Sequence, residues 1–217
     1  MGEYVYGIIA RKEAPKNFDV KGIDNKELYT INYQDLAAIA SESPVKEYEP
    51  NEENTKKHNE VILEILKNHT VLPVAFGMVF KKRGILTSTM RRVYSVLRKS
   101  LRVIDNKIEL GVKAIFPSDE KEIKNLLKDK TIDEFKKECE HEFVEALSKA
   151  TVKSSKGKLF SERLVINRSF LVDRDKINEF SEILGKLDDK YAALKINYTG
   201  PWPPYNFVDI RIMGRGR

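Results

Sequence analysis

Residues 109–116, Glu-Leu-Gly-Val-Lys-Ala-Ile-Phe, carry an apolar side chain at every second position and predict a half-buried β-strand. Apolar spacing and turn residues predict the elements that follow it: helices over 119–127 and 132–147, a strand over 164–172, a helix over 177–187 and a strand over 194–198. This order is typical of an α+β domain whose helices pack on one face of a sheet. The second half of the chain is therefore predicted to be a ferredoxin-like domain.

The first half of the chain predicts a smaller α/β unit. Its expected elements are a strand over 4–10, two strands over 28–31 and 36–40 joined by a hairpin loop, a helix that begins near Asn51, and a strand over 70–76. We expect an N-terminal α/β domain over 1–108 and a C-terminal ferredoxin-like domain over 109–217. A last strand over 207–212 and a short basic tail are expected at the end, and polar residues 153–158 predict a mobile loop.

Positive charge is concentrated in one segment, residues 81–107, which holds nine Lys or Arg residues and a single Asp. The segment carries a net charge of +8 in a chain of net charge +6, so the remainder is slightly acidic. Apolar residues recur at helical spacing from Leu86 to Ile104 and predict one long amphipathic helix. Its polar side carries Arg91, Arg98 and Arg102. This basic face is a solvated surface, a binding surface for an acidic protein, or a nucleic-acid surface.

Residues for catalysis or metal binding are not assembled in the sequence. The phosphate-binding patterns GxxxxGK[ST] and GxGxxG and the nucleophile pattern GxSxG do not occur. Cys139 belongs to the apolar stripe of its helix, and His141 points about 200° away from it. We therefore expect a buried thiol, no catalytic residue, no metal and no cofactor. A single cysteine also fits a reducing cytosol, and neither a signal peptide nor a membrane span is expected.

The segment Gly200-Pro201-Trp202-Pro203-Pro204 holds three prolines and the only tryptophan. It predicts a stiff, structured turn, with Trp202–Pro203 as a plausible cis bond. Two roles are open for Trp202. We favour a ring that folds back and is buried between the domains; the alternative is an exposed aromatic anchor for a partner, because Trp is enriched at binding hot spots.

Four stretches, 4–8, 58–80, 167–174 and the GPWPPYNFV segment from Gly200, resemble the gas vesicle protein GvpF/GvpL family. The resemblance covers the chain from end to end. It implies a two-domain fold with a ferredoxin-like domain and a cytosolic, non-enzymatic accessory protein of gas vesicle assembly. It also implies association with the small, hydrophobic main shell protein and with other vesicle proteins.

The candidate partner-binding residues are therefore Arg91, Arg98, Arg102 and Trp202. The alternative function is nucleic-acid binding by the basic helix around 91–102. No aromatic residue is interleaved on the basic side of that helix to stack against bases, which disfavours the alternative.

Overall fold

The computed structural model describes residues 1–13 and 18–208, which form two compact units. One unit is Lys107–Trp202. The other is Met1–Asn106 together with the described residues from Pro203 onward. Separate domains over 1–108 and 109–217 stay a prediction. The expected last strand over 207–212 and the basic tail lie largely outside the described residues, and Tyr205–Phe207 forms a single 3-10 turn.

The N-terminal unit contains five strands and three helices among its described residues. They are β1 (Gly2–Ala10), β2 (Leu28–Tyr33), β3 (Leu36–Ser43), α1 (Glu52–Leu66), β4 (Leu72–Pro73), β5 (Val79–Phe80), α2 (Arg83–Arg92) and α3 (Tyr94–Val103). The sheet order is β2-β3-β1-β4, with β5 also paired to β1, and every pair is antiparallel. Helix α1 begins as predicted, because the Asn51 side chain accepts a hydrogen bond from the Asn54 amide at 2.8 Å.

Strand β1 is the central strand of this sheet and is buried along almost its whole length. Tyr4 and Tyr6 point to one face, where both rings contact His58 of α1. Glu3 points to the opposite face, where it binds Arg83 of α2. Helices on both faces of the sheet explain why β1 is apolar nearly throughout instead of alternating.

A chain of hydrogen bonds satisfies the polar atoms in this core. The Val74 carbonyl lies 3.1 Å from His58 Nε2 and can only accept, so Nε2 carries the proton. His58 Nδ1 therefore accepts from the Tyr4 hydroxyl at 3.0 Å, and that hydroxyl accepts from the Gly77 amide at 2.9 Å. The His58 ring thus bonds a main-chain carbonyl and lies in the core itself, 2% exposed.

The C-terminal unit has a single four-stranded antiparallel sheet. Its elements are β6 (Lys107–Ile115), α4 (Glu120–Leu127), α5 (Ile132–Leu147), β7 (Lys153–Lys156), β8 (Leu164–Asp173), α6 (Ile177–Lys190) and β9 (Lys195–Trp202). The sheet order is β7-β8-β6-β9. Numbered within the unit, this is 2-3-1-4, which read from the other edge is the 4-1-3-2 order of a split βαβ arrangement. The predicted ferredoxin-like fold is confirmed.

Side chains that alternate along β6 and β8 form the core beneath α5 and α6. Leu110 lies opposite Phe170, whose ring packs against Phe180 of α6 at 5.4 Å between centroids. Arg168 points to the same face and binds Glu140 of α5, with 2.8 Å between its guanidinium and the carboxylate. This ion pair joins β8 to α5 in a region largely shielded from water.

Three sequence predictions differ from the structure. Residues 153–156 form edge strand β7 instead of part of a mobile loop, because main-chain hydrogen bonds to β8 require no apolar side chain. Only Leu72 and Pro73 of the predicted strand 70–76 pair with β1. The stretch Gly200–Trp202 is not a turn but the end of β9, an edge strand, where the missing amide proton of Pro201 costs no ladder hydrogen bond.

The predicted cis bond is also misplaced, since the cis peptide is Gly200–Pro201 and not Trp202–Pro203. Gly200 itself is required by geometry. It has φ +128°, and a Cβ atom at this position would lie 2.9 Å from the Glu109 carbonyl oxygen. This close approach falls at the register shift where β9 pairs with Glu109 and Gly111.

The neutral state of His58 predicts a specific loss of stability in acid. Burial lowers the pKa of His58 from 6.5 to about 4. The folded state thus binds fewer protons than the unfolded state, and this stability is complete above pH 6.5 and lost as pH falls through 4. Urea unfolding at pH 7 and pH 4 should show the wild type losing about 3 kcal/mol more than His58→Gln, which has no ring to protonate. Equal losses in the two proteins would contradict the buried neutral imidazole.

Candidate partner-binding surface

The predicted basic helix is two helices in the structure, which corrects the expectation of one. Val93, with φ −108° and ψ 15°, leaves the helical region between α2 and α3. Each helix buries its own apolar residues, including Met90 in α2 and Leu97 in α3. Because Met90 and Leu97 are seven residues apart, the apolar stripe keeps its phase across the break. Periodicity alone therefore does not reveal the interruption.

The three predicted arginines have different surroundings. Arg91 lies in the last turn of α2 and Arg102 in the last turn of α3, and both are exposed. Arg98 is only half-exposed, because its Nε lies 3.1 Å from a carboxylate oxygen of Asp35 in the β2–β3 turn. The Tyr94 hydroxyl donates to the other Asp35 oxygen at 2.5 Å, and the Arg98 guanidinium lies over the Tyr94 ring. Arg98 thus fastens α3 to the β2–β3 turn.

A shallow cavity of about 240 Å³ lies beside this ion pair, within the N-terminal unit. Arg98 and Arg102 line it on one side, and Lys12, Asp35 and Asp105 contribute further charged groups. Because cations and anions alternate around the cavity, it does not present the uniform positive field that a polyphosphate backbone would require.

Helix α3 also exposes apolar side chains that sequence analysis missed. Val96 is 43% exposed and Val103 is 44% exposed, and their spacing of seven residues places them on one flank of the helix. Arg98 and Arg102 occupy the other flank, and Lys99 lies between the valine flank and the arginine flank. The signal was present in the sequence, since Val96 and Val103 lie outside the stripe that contains Leu97 and Leu101. The exposed part of α3 is called the α3 surface below.

Trp202 lies at the end of β9 and is 42% exposed. The favoured prediction of a buried ring is therefore wrong. Its backbone pairs with Glu109 of β6, the central-strand residue nearest that end of β9. An edge strand leaves one side of such a ring open to solvent, and exposure is what the alternative role as an aromatic anchor needs.

The nucleophile and metal candidates are separated or buried. Cys139 is 1% exposed, so the prediction of a buried thiol is confirmed, and burial raises the pKa of the thiol to about 12. Over residues 1–13 and 18–208, no three His, Cys, Asp or Glu side chains are grouped in a way that would hold a metal ion. No helix in the same residues is long and apolar enough to cross a bilayer.

The fold and this surface define a class of protein: two antiparallel α+β units, the second ferredoxin-like, with an amphipathic helix surface in the first. The family model described as gas vesicle synthesis protein GvpL/GvpF matches residues 2–141 and 119–209. The chain belongs to this GvpL/GvpF family, as its sequence resemblance indicates.

Relatives of the chain match over nearly their full length. Gas vesicle protein F1 of Halobacterium salinarum is 36% identical over 213 residues, covering 96% of this chain and 93% of the relative. Gas vesicle protein F of Haloferax mediterranei is 33% identical over 214 residues, covering 96% and 94%.

Crystal structures of GvpF match the fold. The protein from Anabaena sp. PCC7120 superimposes with a TM-score of 0.83 at 20% identity, covering 96% of each chain. The protein from Microcystis aeruginosa gives 0.81 at 18% identity, covering 96% of this chain and 99% of the other.

The exposure of Trp202 predicts a small folding cost for its removal. A buried aromatic such as Phe170 should lose about 3–5 kcal/mol on replacement by Ala, because contacts are lost and a cavity remains. Trp202→Ala should lose less than half of that. Urea unfolding of Trp202→Ala beside Phe170→Ala measures both. Comparable losses would show that the Trp202 ring packs as a core residue does.

Proposed function

We propose that this protein is a non-enzymatic gas vesicle accessory protein that binds the hydrophobic main shell protein and assists assembly or nucleation of the vesicle. The α3 surface is the proposed contact. Membership of the GvpL/GvpF family supports the association with gas vesicles. The observation that carries the choice of surface is the pairing of exposed valines with exposed cations on one helix, α3.

Apolar exposure on α3 suits a hydrophobic partner. A shell subunit presents apolar surface before it is assembled, and contact with Val96 and Val103 removes part of that surface from water. Full burial of a side chain of this size is worth about 1.5–3 kcal/mol, so covering the exposed 43% of Val96 or 44% of Val103 is worth roughly 0.6–1.3 kcal/mol. Two valines therefore supply affinity, while the rest of the helix keeps the free protein soluble.

Positive charge on the same helix suits approach to an acidic surface on the partner. Arg102 and Lys99 extend into solvent, and Arg91 adds a charge at the end of α2. Exposed charges of this kind raise association rates more than they raise affinity. Arg98 is assigned a different role, since its bond to Asp35 holds α3 in position. Trp202 is a second proposed anchor, on the C-terminal unit.

Other parts of the proposal rest on the family. The partners are the main shell protein and other gas vesicle accessory proteins, and the location is the cytoplasm and the gas vesicle. The absence of enzymatic activity is proposed because the nucleophile candidate Cys139 is buried and burial raises the pKa of its thiol. Nucleic-acid binding remains the alternative, which the charge experiment below separates.

Removing the exposed valines should weaken shell-protein binding. Val96→Asn with Val103→Asn replaces apolar contact by groups that prefer water, so the dissociation constant should rise at least about tenfold, equivalent to ~1.4 kcal/mol. Co-purification from cells that express the tagged variant and the main shell protein reports this loss. Val45→Asn with Val152→Asn, which makes the same change at two exposed valines outside α3, is the matched control and should retain binding. Full retention by the valine variant would exclude this flank as the contact.

Reversing the exposed charges of α2 and α3 should slow association with the main shell protein without affecting folding. Arg91→Glu with Arg102→Glu is expected to lower the association rate about tenfold at low salt and to flatten its salt dependence. Arg98 is kept, because its replacement would also break the bond to Asp35. The control, Lys186→Glu with Lys195→Glu, makes the same change in net charge at exposed positions of the C-terminal unit.

The two charge variants distinguish the candidate functions. Equal slowing of association in both variants would mean that net charge alone sets the association rate. An unchanged association rate in the Arg91→Glu, Arg102→Glu variant would mean that these arginines only face solvent and do not contact the partner. Binding of duplex or single-stranded DNA by the wild type, weakening steeply with salt and lost in the first variant only, would support the nucleic-acid alternative.

A further inference from the structure

Helix α4 is held less firmly than the other helices of the C-terminal unit. None of its side chains is fully buried, whereas α5 and α6 each bury three or more. Ile123, Leu126 and Leu127 form an apolar stripe at i, i+3 and i+4, yet all three stay partly exposed. Within the described residues, no hydrogen bond or ion pair joins an α4 side chain to another element of the unit.

The ends of α4 add little to its stability. The helix spans eight residues, and helices shorter than ~12–15 residues are marginal in water without tertiary packing. Asp119 caps its start, with 2.8 Å between its carboxylate and the Lys121 amide. Its end is unfavourable, because Lys128 has φ +53° and ψ −114°, a conformation that a side chain with a Cβ rarely adopts.

A groove lies between α4 and the helices beneath it. Its space is about 420 Å³, lined by Leu126 and Leu127 on the α4 side and by Phe135 and Cys139 of α5. Tyr191, at the end of α6, completes the floor, where its ring packs against Phe135. Helix α4 thus covers an apolar floor without filling the space above it.

Four of the five charged side chains that line the groove are paired with one another. Lys130 binds Glu138, and Lys190 binds Glu142 at 2.5 Å. The Tyr191 hydroxyl also donates to Glu142, at 2.7 Å. Because four of these five charges satisfy one another, leaving Lys128 at the end of α4, the groove recognises an occupant mainly through its apolar floor.

We propose that α4 is a displaceable cover, and that the groove beneath it binds an amphipathic helix of a partner protein with apolar side chains at i, i+3 and i+4. The α4 stripe shows the pattern that this floor accepts. The unfilled space favours a partner whose side chains are bulkier than those of α4, because the added contacts would offset the cost of displacing it. This site is separate from the α3 surface, so either proposal can fail without the other.

Cys139 provides a direct measurement of the opening. Its thiol lies under α4, and burial suppresses the thiolate that reacts with disulfide or maleimide reagents. If α4 opens, Cys139 in the native wild-type protein should react at least tenfold faster than global unfolding allows, with a weak dependence on urea because little surface is exposed. Labelling that follows global unfolding, with the same urea dependence, would overturn the proposal.

Two matched variants test whether α4 is the element that opens. Ile123→Ala with Leu126→Ala removes the contacts to the floor and should speed labelling at least tenfold, with the far-ultraviolet circular dichroism otherwise preserved. Leu126→Ala alone serves if the double variant does not fold. Lys121→Ala with Lys124→Ala alters only the exposed face of the same helix and should label like wild type. No acceleration in the apolar variants would exclude α4 as the cover.

A peptide tests the docking half of the proposal. The peptide of residues 118–129, added at millimolar concentration to the Ile123→Ala, Leu126→Ala protein, should slow labelling of Cys139 at least threefold by occupying the groove. The same peptide with Asn at positions 123, 126 and 127 should have no effect. Equal rates with and without the first peptide would show that the opened groove does not take an amphipathic helix.

Discussion

The hydroxyl of Tyr4 connects parts of the N-terminal unit that are far apart in sequence. It donates to His58 on α1 and accepts from the Gly77 amide, while His58 donates to the Val74 carbonyl. These groups are buried, so any one left unpaired would cost about 1–3 kcal/mol. The network therefore fixes α1 on the sheet and holds the backbone of residues 74–77 in one conformation. Residues 74–77 lead through β5 into α2 and α3, so the position of the α3 surface depends on this network.

The basic segment divides into structural and exposed groups once it is folded. Asp35 binds both Arg98 and Tyr94, so one predicted binding residue, Arg98, fastens the helix that also carries Arg102. Arg91 and Arg102 remain exposed, together with the apolar flank of Val96 and Val103. A surface of this composition combines approach by charge with affinity from apolar contact, which is the combination that a soluble binder of a hydrophobic subunit needs.

The helices of the C-terminal unit differ in what holds them. Helix α5 has a capping box between Thr131 and Glu134, a buried apolar stripe and the ion pair from Glu140 to Arg168. Helix α4 has a cap but neither of the other two. Local opening draws on segments with few buried contacts, and this contrast places α4, and not α5, among them. The groove is consequently a feature of how unevenly the helices pack on one sheet.

The sequence by itself determined the ferredoxin-like unit, because the alternation in 109–116, the apolar runs at both ends of 164–172 and the helical stripes through Phe143 and Phe180 are local patterns. It also determined where α1 and α5 begin, the burial of Cys139, and the family, through motifs such as GPWPPY. Partner-binding candidates Arg91, Arg98, Arg102 and Trp202 came from charge and composition, which identify residue types but not their contacts.

Tertiary structure alone decided the rest. The break at Val93 keeps the phase of the apolar stripe, and β7 forms through main-chain bonds to β8, so side-chain patterns carry no record of either. The bond from Arg98 to Asp35 joins residues 63 positions apart in the sequence, and the exposure of Trp202 follows from the edge position of β9. Strand β7, the bond from Arg98 to Asp35 and the exposure of Trp202 all depend on contacts between distant residues, which local sequence patterns do not encode.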